Sequence, residues 1–294
     1  MSGKRNVSLV LLILSMFIFG TIGVFRKYIP LPSAYIAVAR GAIGALFLSI
    51  ILIFRKKSEK KLKLSQFILP LISGAFIGLN WILLFEAYNY TSVGVATLCY
   101  YIAPVFVILA SPFITGERLT TKKLVCIFIA LCGMIPISGI LGAEKIGVLQ
   151  IKGILFGLGA ALLYASVILM NKKMTDIPSF EKTTVQLASA AISMMPYILI
   201  TEGFYLPTAN TTTLILLLSV GIIHTGIAYA LYFASMENLG AQSVALLSYI
   251  DPVVAILLSG ILLREKMGAA EYLGALLILG STLFSELPSS KKQK

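Results

Sequence analysis

The chain has 294 residues, of which 58% are hydrophobic and 12% charged, with a formal net charge of +12 and a mean hydropathy of +0.95. Soluble domains carry roughly a quarter charged residues, so this composition excludes an ordinary water-soluble enzyme or binding domain. The apolar residues fall in long runs, and a run of about 18 or more reads as a membrane-crossing helix.

In chain order the runs cover about 7–25, 33–54, 67–86, 91–114, 123–140, 152–170, 183–201, 212–235, 241–263 and 268–285. They predict an all-α membrane protein of ten helices. Strands of a membrane barrel would alternate apolar and polar residues over about ten positions. A stretch such as "LVLLILSMFIFG" does not alternate. A helix satisfies its own backbone hydrogen bonds in lipid, which favours the helical reading.

The first run follows Lys4 and Arg5, as a signal peptide would. Its length and the nine runs after it mark it as a retained helix. The second run carries Arg40, and the third, "GLNWILLFEAYNY", carries Asn80, Trp81 and Glu86. Arg40 and Glu86 lie toward the outer ends of their helices. Buried charges are usually matched, so a structural or gating pair is expected there, with substrate contact as the alternative. "GAFIG" (74–78), "RGAIG" (40–44) and "GLGAA" (157–161) remove bulk and allow close helix approach. Cys99, Cys126 and Cys132 all lie in apolar runs and read as packing residues, with no spacing that supports a disulfide framework or a metal site.

The eighth run holds His224, the only histidine. Imidazole suits proton exchange near neutral pH, and a neutral histidine bonded to a neighbouring helix is the equal alternative. The ninth run, "LLSYIDPVVAILLSGILL" (246–263), carries Asp251 directly before Pro252. No P-loop, HExxH or strand-flanked GxSxG motif occurs. An ATP-driven pump, a metal site and a cofactor are therefore not expected.

Charge placement gives the topology. With the N-terminus inside, seventeen of the 24 Lys and Arg residues fall in inward segments and six in outward ones, Arg40 lying within a span. Cytoplasmic loops carry the excess of Lys and Arg, so both termini are expected in the cytoplasm of a cell-membrane protein. Contact with anionic lipid headgroups accounts for the net charge, and no nucleic-acid partner is expected.

The chain repeats itself. "YYIAPVFVILASPFITGERL" (100–119) aligns with "SYIDPVVAILLSGILLREKM" (248–267) at an offset of 148. Pro104 meets Pro252, Tyr101 meets Tyr249, Ser111 meets Ser259 and Glu117 meets Glu265. The halves 1–144 and 145–294 each hold five runs. Five is odd, so the second half enters the membrane from the opposite side and the halves are inverted copies. Inverted repeats recur in secondary transporters.

Those segments, and the glycine-bearing helix after each, resemble the drug/metabolite transporter superfamily, specifically proteins built from two EamA-like repeats. The resemblance covers nearly the whole chain. It implies ten helices, both termini cytoplasmic, alternating access about a central cavity, and transport of small organic solutes, often amino acids and often outward.

Asp251 falls near the middle of its span. An intramembrane carboxylate costs roughly 2.5–3.5 kcal/mol on insertion scales and defaults to a functional candidate. It would meet a cationic or zwitterionic solute or carry a coupling proton; a structural acid bonded to kinked backbone is the alternative. The matching position in the first half is Ala103, so the fold itself does not require an acid. Pro104 and Pro252 should kink their helices at matching depth by freeing a carbonyl four residues back. Asn80, Trp81, Tyr101, Tyr229 and Tyr249, with His224, are the expected companions of Asp251 around a substrate cavity. Aromatic faces with one acid would suit an ammonium group, although simple packing also explains any single tyrosine. A nucleotide-sugar or phosphorylated-metabolite carrier is the rival within the fold, and a membrane-embedded enzyme lacks a visible nucleophile–base pair. Nothing in the pattern fixes an oligomeric state.

Overall fold

The computed structural model describes residues 2–54, 64–91, 93–137, 148–203, 210–262 and 268–287. Its α-helices are α1 (Ser2–Lys27), α2 (Ser33–Phe54), α3 (Ile68–Tyr90), α4 (Val93–Tyr100), α5 (Ala103–Ile114), α6 (Thr121–Ile137) and α7 (Val148–Lys173). They continue with α8 (Ser179–Thr201), α9 (Thr211–Ser219), α10 (Ala228–Ser235), α11 (Ala241–Leu247), α12 (Ile250–Leu262) and α13 (Ala269–Glu286). A short 3₁₀ turn, Leu64–Phe67, precedes α3, and a π-helical stretch, Val220–Ile227, joins α9 to α10.

Among the described residues eight helical segments are long and apolar enough to cross a membrane, where the sequence predicts ten. The difference lies in the fifth and tenth runs. Helix α6 has 17 described residues, and its expected end at 138–140 falls outside them. The apolar part of α13, Tyr272–Glu286, is a short helix. Large side chains such as Phe54, Phe113 and Ile200 are more than four-fifths exposed. Such outward apolar surface is unfavourable in water and matches lipid. The protein is a multi-pass membrane protein.

Close approach is licensed by glycine. A Cβ on Gly78 of α3 would strike the Ser193 hydroxyl and lie 2.7 Å from the Ala190 carbonyl of α8. Gly74, one turn earlier, sits against the Gln186 carbonyl of α8. The same seam holds a buried hydrogen bond of 2.7 Å from Gln186 Nε2 to Ser73 Oγ, so Gln186 braces helices rather than lining a cavity. "RGAIG" does likewise: a Cβ on Gly44 of α2 would stand 3.1 Å from Gly221 O in the π-helical stretch. Cys99 and Cys126 are buried free thiols, and Cys132 is exposed.

Two helical courses are broken near the middle. Helix α4 ends at Tyr100 and α5 begins at Ala103, while α11 ends at Leu247 and α12 begins at Ile250. Pro104 and Pro252 sit in the first turn after each break, where a missing N–H costs little. The freed backbone is re-bonded across the breaks. Tyr249 Oη donates to the Tyr101 carbonyl at 2.7 Å, and the Ser248 carbonyl accepts the Asp251 N–H at 3.2 Å in a tighter turn. Irregular backbone is tolerated at membrane depth under this condition.

Glu117, whose place at a helix exit reads as a cap or as a partner of a loop charge such as Arg118, receives the first free N–H groups of α11. Its carboxylate accepts the backbone N–H groups of Ala241 and Gln242, the latter at 3.1 Å. A carboxylate there meets unpaired donors and the positive end of the helix. Glu265, Arg264 and Lys266 lie outside the described residues.

Candidate functional site

Both helix breaks border a cavity of about 480 Å³. Its acidic lining residue is Asp251, in the first turn of α12 and only partly buried. Tyr101, in the break between α4 and α5, points its hydroxyl at Asp251 Oδ2 from 3.4 Å, a long and weak hydrogen bond. The carboxylate therefore keeps acceptor capacity toward the cavity. Helix α1 passes so close that a Cβ on Gly20 would lie 2.8 Å from the Asp251 carbonyl oxygen. Glycine at 20 sets how near α1 stands to the acid.

Aromatic side chains make most of the wall. Trp81 and Tyr229 meet edge to face with centroids 6.3 Å apart. Tyr164 and Tyr232 share a hydrogen bond of 2.8 Å between hydroxyls, and the Tyr100 ring lies 5.5 Å from that of Tyr164. The register of the repeat reappears here. The offset of 148 pairs Trp81 with Tyr229 and Leu84 with Tyr232, and all four line the cavity.

Arg40 lines it too. The guanidinium carbon lies 4.0 Å from the Trp81 ring centroid, within cation–π range. The expected partner is elsewhere: Glu86 accepts a hydrogen bond of 2.7 Å from Tyr197 Oη. The Arg40–Glu86 pair does not form, because each charge has found a different neighbour on a different helix. A second cavity of about 260 Å³ adjoins the first and shares Arg40, Phe85 and Tyr88 with it. It runs toward Arg26, Ile29 and Ser33, at the α1–α2 connection.

Of the residues expected around Asp251, the structure brings Trp81, Tyr101 and Tyr229 to the cavity. Three others go elsewhere. Asn80 is buried and donates to the Ala160 carbonyl at 2.5 Å, tying α3 to α7. Tyr249 is fully buried and spends its hydroxyl on Tyr101. His224 lies in the π-helical stretch, packs edge-on against Phe25, and shares a 2.7 Å hydrogen bond with Thr21 Oγ1. Thr21 already donates to the Ile18 carbonyl, so His224 Nε2 is the donor in the shared bond. The imidazole joins two helices behind the cavity wall.

Tyr88, Tyr164 and Tyr232 were not singled out by sequence. No periodic signal marks them, since an apolar span spreads tyrosines over all its faces. The repeat would have pointed to Tyr232, one half-chain beyond Leu84. No group of three or more His, Cys, Asp or Glu side chains capable of holding a metal occurs among the described residues.

Comparison with known proteins fits this arrangement. The profile of the EamA-like transporter family matches residues 6–139 and again 151–286. The chain belongs to the EamA-like transporter family. An uncharacterized transporter of Bacillus subtilis (strain 168), YxxF, is 32% identical over 279 residues, 94% of this chain and 88% of that one. A protein of Escherichia coli (strain K12) named "Probable amino-acid metabolite efflux pump" is 29% identical over 207 residues, 67% of this chain and 68% of its own. A solved crystal structure superposes with a TM-score of 0.82 at 20% identity, covering 96% of this chain and 98% of its own. At that identity the superposition shows the shared fold alone. This EamA-like protein is thus a transporter and not an enzyme.

Proposed function

We propose that this EamA-like protein is a secondary transporter of small amine-bearing or zwitterionic metabolites, amino-acid-like in size, working outward or as an exchanger by alternating access. The observation that carries the reading is one carboxylate, Asp251, at a helix break in an aromatic-walled cavity of about 480 Å³. Pockets for small ligands run from about 300 to 1,000 Å³. A tyrosine-rich wall with one acid attracts an ammonium group. The name carried by the Escherichia coli relative supports the solute class.

In this reading the chain crosses the plasma membrane ten times as two inverted halves, 1–144 and 145–294, with both termini cytoplasmic. The shared offset of the two helix breaks and of the paired wall residues supports the duplication. Odd copies of opposite orientation can exchange conformations, so one cavity opens to each side in turn. The breaks before Pro104 and Pro252 are the pivots, and Asp251 binds the solute ammonium or a coupling proton. A carrier of phosphorylated solutes would present several cations; among the described residues Arg40 is the one cation lining this cavity.

The test is a thermal-shift screen of the purified protein against amino acids, amines, sugars and nucleotides. A ligand at a hundred times its Kd stabilises by about 2.7 kcal/mol. Amino acids or amines should raise the melting temperature. Stabilisation by nucleotides or nucleotide sugars alone would overturn the solute class.

A further inference from the structure

Arg40 poses a physical problem that the family assignment leaves open. Its guanidinium lies on Trp81, and its Nε is buried without a hydrogen-bond partner. No carboxylate stands within ion-pair distance of it among the described residues. A guanidinium carries five N–H donors and stays charged in proteins. The rest of the side chain is partly open to the two cavities it lines; burying one donor of a cation unmatched is costly, and a ring face offsets only part of that cost. A fixed cation kept in this condition is poised for an anion that comes and goes.

Its position says which anion. Arg40 lines the cavity that holds Asp251 and also the adjoining cavity toward the α1–α2 connection. One cation and one anion then face the same space. A solute of matching charge carries one anionic and one cationic group. A phosphate dianion would meet a single guanidinium and be repelled by Asp251. A monocarboxylate suits the planar guanidinium, which donates to it bidentately. We infer that Arg40 is the carboxylate-binding, specificity-determining residue of the site: it selects solutes bearing both a carboxylate and an ammonium. The carboxylate is held on the Trp81-backed guanidinium and the ammonium at Asp251.

This inference rests on the proposed amino-acid-like solute, and it adds that the carboxylate is required. Trp81 backs the guanidinium at 4.0 Å, and lysine should replace Arg40 only in part. Lysine keeps the charge and loses the bidentate fork.

The experiment is counterflow in proteoliposomes with two pools, the protein amino acids and their decarboxylated amines, each solute identified by mass. The wild type should favour an amino acid over its own amine by about ten- to a hundredfold, the range of a charge-assisted hydrogen bond. Arg40→Gln should bring that ratio close to one, and Arg40→Lys should give an intermediate value. Because the ratio is taken within one preparation, reduced yield of a variant does not affect it. An unchanged ratio in Arg40→Gln would place the carboxylate elsewhere and leave the transport reading standing. A wild type that prefers the amines would overturn the Arg40 assignment alone. Movement of neither pool by the wild type would overturn the solute class and the Arg40 assignment together. A rate that follows chloride and ignores the solute carboxylate would assign Arg40 to an inorganic anion and likewise overturn the inference.

Discussion

Asp251→Asn should lower solute flux in proteoliposomes by about ten- to a hundredfold, the loss expected when a charge-assisted hydrogen bond of roughly 1.5–3 kcal/mol is removed. The variant should still insert and purify as a folded species. The substitution keeps the volume of the side chain and removes only its charge. It leaves the break between α11 and α12 intact, since that break is bonded through the Ser248 carbonyl and the Tyr249 hydroxyl. The repeat makes the same point: Ala103 occupies the equivalent place before Pro104, and α5 forms without an acid there. If Asp251 also carries the coupling proton, wild-type flux responds to an imposed pH difference and the residual flux of the variant does not. Wild-type flux in the variant would remove Asp251 from the site.

Gly74→Val has the largest expected effect on the fold. A side chain at 74 would press on the Gln186 carbonyl, with the Gln186 Cα only 2.8 Å from its Cβ. Overpacking a core typically costs about 1–3 kcal/mol when side chains can move. Here the obstacle is backbone of α8, which cannot rotate aside. The two helices must separate, and the Gln186–Ser73 hydrogen bond goes with them. Little monodisperse protein should survive size-exclusion chromatography in detergent. Gly280→Ala is the matched control, since nothing lies within 4 Å of a Cβ at 280; it should purify as the wild type does, with unchanged or slightly higher melting temperature. A normal yield of Gly74→Val would mean that α3 and α8 are not packed as described.

The helices were legible because lipid imposes one strong rule. Apolar length maps directly to a span, and the breaks before Pro104 and Pro252 follow from two prolines that cannot donate. Asp251 was legible because a carboxylate in such a run has few uses. The partners of polar groups were harder to read. Arg40 and Glu86 share a depth in sequence, but depth does not say which face of a helix a side chain occupies. Helix α3 presents Trp81 to Arg40 and Glu86 to Tyr197, so the expected pair is split by helix rotation. Asn80 neighbours Trp81 in sequence and for the same reason points away, to the Ala160 carbonyl. His224 lies at cavity depth, yet the π-helical stretch and Thr21 turn it toward α1. Hydropathy carries no signal for that local change of helical pitch.

Cysteine accessibility at the cavity tests the central claim most directly. Thr97 lines the chamber beside Asp251, and the native thiols Cys99, Cys126 and Cys132 are free and can be replaced by alanine. A single cysteine at position 97 is then exposed to a membrane-impermeant thiol reagent, applied in turn to each face of oriented vesicles. A cavity that opens alternately predicts labelling from both faces, slowed on both by the transported solute. Labelling from one face only, or at a rate the solute leaves unchanged, would contradict the account.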